Sequence, residues 1–124
     1  MRLWGNLLIA LQVAICYCII VIGQALWKLG LIKYRITGLQ FKQYLPKYLL
    51  SNYFILGALA YIVATIIWIY LLSKYEFNKL YPMNSIGYVL ALLLSAYVFH
   101  EYIPTNRFIG VAIIIIGIIV LSLK

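Results

Sequence analysis

The chemistry open to this chain rests on very few side chains. It holds two carboxylates, Glu76 and Glu101, one histidine, His100, and two cysteines, Cys16 and Cys18, against ten Lys and Arg. His100 and Glu101 are adjacent, six residues before Arg107. They can form a proton-coupling pair or, more plainly, an interfacial salt bridge, with Arg107 as the other partner for Glu101. No metal-ligand cluster, Gly-x-Ser-x-Gly elbow or phosphate loop accompanies them. Two acids leave little for general acid–base work, so the expectation is a transporter rather than an enzyme, with no catalytic residue, no metal and no cofactor. Transport, lipid translocation and assembly are the classes that remain.

The remaining polar groups stand inside apolar runs, where each is costly unless it is paired or faces a cavity. Those at membrane depth are Gln12, Gln24, Thr65, Asn84, Ser85 and Ser95. Gln24 lies about one helical turn before Lys28, on the same face. An amide and an ammonium stacked in this way can bind a phosphate near the interface; a packing hydrogen bond beside a snorkelling lysine is the plainer account. Tyr81, Pro82, Asn84 and Ser85 put hydroxyls and an amide at an expected helix N-terminus, where unpaired N–H groups favour anions. Ordinary capping by Asn84 or Ser85 explains the same pattern.

The elements that must position these groups follow from composition. Of 124 residues, 67% are apolar and 10% charged, far from the usual soluble balance of about half and a quarter. Residues 3–27, 48–73, 80–99 and 108–123 carry no Asp, Glu, Lys, Arg or His. A bilayer core of ~30 Å takes about 20 helical residues, so each run is close to one span. A soluble bundle would need polar stripes that residues 111–121 lack. The fold class expected is an all-α membrane protein, a bundle of four transmembrane helices in a single membrane domain, at about 3–29, 50–73, 81–99 and 105–123.

The first helix is expected to stop near Gly30, because glycine tolerates positive φ. A basic, aromatic segment, 30–49, follows; it interleaves Lys33, Arg35, Lys42 and Lys47 with Tyr34, Phe41, Tyr44 and Tyr48. This suits the headgroup layer, with a short interfacial helix after Gly38 that breaks or bends near Pro46. The third helix is expected to start at Tyr81-Pro82 and end at His100-Glu101, and the fourth to follow Pro104. Gly110 and Gly117, one heptad apart on the fourth, allow another helix to approach and are the expected dimer contact. Cys16 and Cys18 point to different sides of the first helix and cannot bridge each other. Met1-Arg2 before a long apolar run reads as a retained first helix rather than a secretory signal.

A net charge of +8 raises the question of nucleic acid, but the cations sit at span ends and in one loop, which anchors to anionic membrane lipids require. No nucleic-acid partner is expected. Lys28, Lys33, Arg35, Lys42, Lys47 and Arg107 lie on one side of the expected membrane, against Arg2, Lys74, Lys79 and Lys124 on the other. That bias favours the first loop in the cytoplasm; it is shallow enough to fit insertion in both orientations, as an antiparallel homodimer needs.

Several residue patterns bear a family likeness. Tyr81-Pro82-Met83-x-Ser85, His100-Glu101, Arg107-x-x-Gly110-Val111-Ala112 and Gly117-Ile118, together with Gly23-Gln24-x-x-x-Lys28, are the residues concerned. This set resembles the small four-helix members of the drug/metabolite transporter superfamily, closest to the subunits that flip undecaprenyl-phosphate-aminoarabinose. More distantly it resembles the small multidrug resistance transporters. Those carry a membrane-embedded Glu three residues before the glycine, where this chain has Ile20. The resemblance implies a multi-pass protein of the bacterial cytoplasmic membrane and, as cargo, a polyprenyl-phosphate sugar lipid. Lys28 and Arg107 would take its phosphate; Gln24, Tyr81, Asn84 and Ser85 would take its polar head. It also implies that two chains, as a homodimer or as a heterodimer with a sister subunit, form the working unit. Export of cations or metabolites, and a non-transporting role beside a glycosyltransferase, are the competing readings.

Overall fold

The computed structural model describes residues 2–123 of the chain and, among these, contains helices and no strands. Helix α1 runs Arg2–Lys33, α2 Phe41–Leu49, α3 Asn52–Lys74, α4 Phe77–Met83, α5 Ile86–Tyr97 and α6 Thr105–Ser122. Four helical stretches are long and apolar enough to cross a membrane: Trp4–Lys33, Asn52–Lys74, Phe77–Tyr97 and Thr105–Ser122. The third is the pair α4 and α5, with a break between them.

Helix α1 does not stop at Gly30. A Cβ there would lie 2.8 Å from Tyr53 Cβ and 2.9 Å from the Tyr48 ring, so the position serves the close approach of α2 and α3. The helix ends one turn later in a Schellman arrangement. Arg35 takes the left-handed conformation at φ 52, Ile36 N–H donates to the Leu31 carbonyl (3.0 Å) and Arg35 N–H to that of Ile32 (3.1 Å). Packing therefore claimed the glycine, and the turn fell to an arginine.

The short helix expected after Gly38 is α2, which passes through Pro46 and ends at Leu49. Its lysines face out, and its one buried residue, Tyr48, donates its hydroxyl to the Trp27 carbonyl at 2.7 Å. Burial raises the Tyr48 phenol above its ordinary pKa, which keeps the donor protonated. Ser51 then caps α3, its Oγ accepting from Phe54 N–H at 3.3 Å.

Helix α1 is the centre of the fold, packed along α3 on one side and against α5 on the other. Gly23 and Gly57 set the α1–α3 crossing: a Cβ on Gly23 would lie 3.1 Å from the Gly57 carbonyl oxygen, and one on Gly57 2.8 Å from that of Gly23. Small residues at this contact let the backbones meet, which is how helices associate without a hydrophobic drive between them. Trp27 closes the seam, its indole N–H donating to the Phe54 carbonyl at 3.0 Å and its ring stacked on Tyr61 at 5.0 Å. The buried core lies nearer the other end, where Ile9, Val13 and Cys16 meet Ala64, Leu71, Leu80 and Met83. Cys16 is buried and Cys18 exposed, on different sides as their spacing requires.

The third span departs most from expectation. It begins at Phe77, not at Tyr81-Pro82, and its helix ends at Tyr97. Pro82 lies within α4, and the chain tightens just after it. The N–H groups of Asn84, Ser85, Gly87 and Tyr88 each donate to the carbonyl three residues back. These are 3₁₀-type bonds, the tighter turn that separates α4 from α5. The open helix N-terminus expected at this point is thus replaced by a closed turn.

Helix α6 stands at the edge. None of its residues is buried; it touches α4 and α5, and its Ser122 carbonyl accepts from the Asn6 side chain at 2.6 Å. A Cβ at Gly110 or Gly117 would meet nothing within 4 Å.

Candidate functional site

Between α1 and the α4–α5 turn lies a cavity of about 490 Å³, the largest of several adjoining compartments. Tyr17, Ile20 and Gln24 of α1 form one wall of this largest part, and Tyr81, Asn84, Ser85 and Tyr88 the other. The bend after Pro82 is what turns Asn84 and Ser85 toward α1, and Gly87 permits the approach: a Cβ there would lie 2.6 Å from the Tyr17 ring. All four residues expected to meet a polar head, Gln24, Tyr81, Asn84 and Ser85, therefore line one cavity.

Their hydrogen bonding separates the plain readings from the functional one. Neither Asn84 nor Ser85 caps α5: Ser85, at the N-cap position, makes no side-chain cap bond, and Asn84 Oδ1 is buried with no partner. An unpaired buried acceptor costs about 1–3 kcal/mol, so a native site that keeps one calls for an explanation. Gln24 donates through Nε2 to the Tyr61 hydroxyl at 2.7 Å, which leaves its carbonyl oxygen as an acceptor.

A second compartment of 180 Å³ shares Val21, Gln24 and Ala91 with the first and continues to Lys28, Ser95 and Phe99. Here Lys28 Nζ lies 4.3 Å from the Phe99 ring centroid and forms a hydrogen-bonded ion pair with Glu101 Oε1. The other carboxylate oxygen accepts from Ser95 Oγ. Hydrogen bonds from Lys28 and then Ser95 hold the Glu101 carboxyl below its ordinary range, with the charges of Lys28 and Arg107 adding to the effect and partial desolvation opposing it.

The expected pairing of His100 with Glu101 is not what the structure contains. His100 is exposed at φ 51, in the turn that leaves α5, and Glu101 reaches back to Lys28 and Ser95 instead. The reason is the backbone: Glu101 N–H donates to the Ser95 carbonyl at 3.1 Å, which folds the segment over the end of α5. Arg107, exposed on the first turn of α6, contributes to Glu101 through space and forms no ion pair within 4 Å among the described residues. Lys28 and Arg107 thus flank one carboxylate. Gly110 and Gly117 lie apart from the cavity on α6.

Tyr17, Tyr61, Tyr88 and Phe99 complete the site and were not singled out by the sequence. Tyr61 is one of many aromatics in an apolar run, and only the α1–α3 crossing brings it to Gln24. Ser95 stood out as polar, but its partnership with Glu101 has no helical spacing behind it.

No protein-family model matches this chain, and comparison with curated proteins and with solved structures finds no match. What the structure establishes is a class: among the described residues, an all-helical protein with four helices able to cross a membrane and, between the first and third of them, a cavity with Gln24, Asn84 and Ser85 in its wall.

Proposed function

We propose that the protein is a flippase, or a flippase subunit, that moves a polyprenyl-phosphate-linked monosaccharide across the bacterial cytoplasmic membrane. The observation that carries this reading is a cavity whose wall brings Gln24, Tyr81, Asn84 and Ser85 together and which continues to a lysine. A sugar offers hydroxyl donors to the Gln24 carbonyl oxygen and to the hydroxyl groups of Tyr81 and Ser85. A phosphodiester, one residue away along the ligand, suits the ammonium of Lys28 and the guanidinium of Arg107. Glu101 already gives Lys28 an oxyanion, so the cargo's phosphate would take the place of that carboxylate. Two chains are the expected working unit, because one thin bundle does not enclose the cavity.

Mechanistically, the head would leave the headgroup layer by exchanging Glu101 for phosphate on Lys28, then descend along Gln24 into the polar cavity while the tail stays in lipid. A second reading, export of a lipophilic cation, draws on Tyr17, Tyr81 and Tyr88 around the same cavity. Aromatic faces contribute ~0.5–2 kcal/mol each to a cation, and the cavity's lining contains no carboxylate.

The test is binding and flipping of a panel of polyprenyl-phosphate monosaccharides by the purified chain in liposomes, with a lipophilic quaternary ammonium as competitor. Saturable flipping of one sugar lipid, abolished by Lys28→Ala or Gln24→Ala in variants that still assemble, is expected. Unimpaired flipping in both variants sinks the site, and tight binding of the cation with no lipid response favours the exporter. A chain that binds and moves neither would be the non-transporting partner of a glycosyltransferase.

A further inference from the structure

A third compartment adjoins the other two and differs from them in character. Its 290 Å³ are lined by Cys18 and Ile22 of α1 with Leu90, Leu93 and Tyr97 of α5 and Val98 beyond it. It shares Leu94 with the compartment that holds Lys28, and Val21 lies in the walls of all three. On α1 the polar cavity uses Tyr17, Ile20 and Gln24, whereas this recess uses Cys18 and Ile22, the neighbouring stripe of the same helix. Val21 is thus a ridge between a polar flank and an apolar flank, and Lys28 stands at the head of the ridge.

A molecule that engages both flanks at once must be an amphiphile. Its polar end belongs with Asn84, Ser85 and Gln24, its single negative charge with Lys28, and its hydrocarbon with Ile22, Leu90 and Leu93. The apolar space suffices for more than a stray methyl group, since an apolar cavity of ~150 Å³ takes a benzene ring. Its lining residues Ile22, Leu93 and Tyr97 are exposed, so the recess opens outward, where a long tail can continue into lipid.

We propose that this recess seats the first segment of a prenyl tail whose phosphate is held by Lys28, so that the site selects its ligand at both sides of the phosphate. The inference rests on the flippase reading for the identity of the ligand, and it adds a tail subsite between α1 and α5 that this reading does not require. A lipid head with a freely dissolved tail would need only the polar flank.

A prenyl phosphate carrying a photoreactive diazirine on its first isoprene unit tests the placement. The full chain is reconstituted in phosphatidylcholine nanodiscs, irradiated, digested and mapped by mass spectrometry. Adducts concentrated on residues 18–22 and 90–98 are expected, with a yield that falls about tenfold in Lys28→Ala, as loss of one charge-assisted contact implies. Leu93→Trp, which fills the recess from an exposed position, is expected to displace the adducts while leaving the fold intact. Adducts spread over exposed apolar residues outside the recess such as Ile62 and Ile116, or unchanged in Lys28→Ala, overturn the subsite. So does their loss on adding phosphatidylglycerol in place of unlabelled prenyl phosphate, because the occupant is then ordinary lipid. Flipping of a sugar lipid with scattered adducts removes the subsite and keeps the flippase; mapped adducts with no sugar lipid flipped keep the subsite and remove the flippase.

Discussion

Gly57→Ala is the sharpest test of how the fold holds the site. The added Cβ would fall against Nε1 and Cδ1 of Trp27 and 2.8 Å from the Gly23 carbonyl, so the indole must leave or the helices must part. If the indole leaves, its hydrogen bond to the Phe54 carbonyl goes, worth about 0.6 kcal/mol on average inside a membrane. Its stacks on Tyr61 (5.0 Å) and Phe54 (5.7 Å) go as well, about 0.5–1.5 kcal/mol each. Overpacking adds about 1–3 kcal/mol, and the better helix propensity of alanine returns up to about 1 kcal/mol. The net loss is about 2–6 kcal/mol. Tyr61 would also lose the ring that fixes it, and with it the orientation of Gln24, so flipping should fall alongside stability. Reversible unfolding in mixed micelles, followed by tryptophan fluorescence, measures the first effect. Gly110→Ala and Gly117→Ala are the controls, since neither Cβ meets anything within 4 Å. A Gly57→Ala protein within about 0.5 kcal/mol of those controls would refute the claim that this crossing organises the site.

Two further outcomes follow from the same geometry. Because the Glu101 carboxyl is held below its ordinary value of 4.5, its ion pair is intact at neutral pH and is lost as pH falls through the depressed value. Binding of a prenyl-phosphate sugar, whose phosphodiester stays ionised, should therefore strengthen as pH falls through that range, and Glu101→Gln should bind it tightly at every pH; a wild-type profile as flat as the variant's, at equal affinity, would show that Glu101 does not compete for Lys28. On α6, Gly117→Leu should lower the dimer fraction in detergent without altering the monomer's unfolding, as an open helix face allows, and an unchanged dimer fraction would exclude that face as the contact.

The spans were legible in the sequence because uncharged length is a sufficient criterion when the solvent is lipid. The boundaries failed wherever one residue type serves two ends. Gly30 looked like a helix terminator, yet the contacts of Tyr48 and Tyr53 needed a missing Cβ more than the turn needed a free φ. Pro82 looked like the first turn of a helix, a position it does favour. The helix in fact starts five residues earlier, at Phe77, and a 3₁₀ turn follows the proline. That turn is the device that aims Asn84 and Ser85 at α1, and no periodicity in the sequence contains it.

The site itself was half legible, for a physical reason. Gln24 and Lys28 share a helix face by spacing alone, and Asn84 and Ser85 are polar where polarity is costly, so each pair declares itself locally. Nothing local joins the two pairs. Their union depends on Gly87 admitting the Tyr17 ring and on Ser95 and Lys28 drawing Glu101 back over the end of α5. The last of these also decides where the negative charge lies. A carboxylate deep in the membrane would compete for protons and cations in the cavity; the acid at the rim, Glu101, instead pairs with Lys28 and leaves the cavity to neutral donors and acceptors. An uncharged cavity below a lysine whose own counter-ion sits at the surface is suited to a neutral polar head behind a single negative charge, and a bare cation would find nothing there to neutralise it.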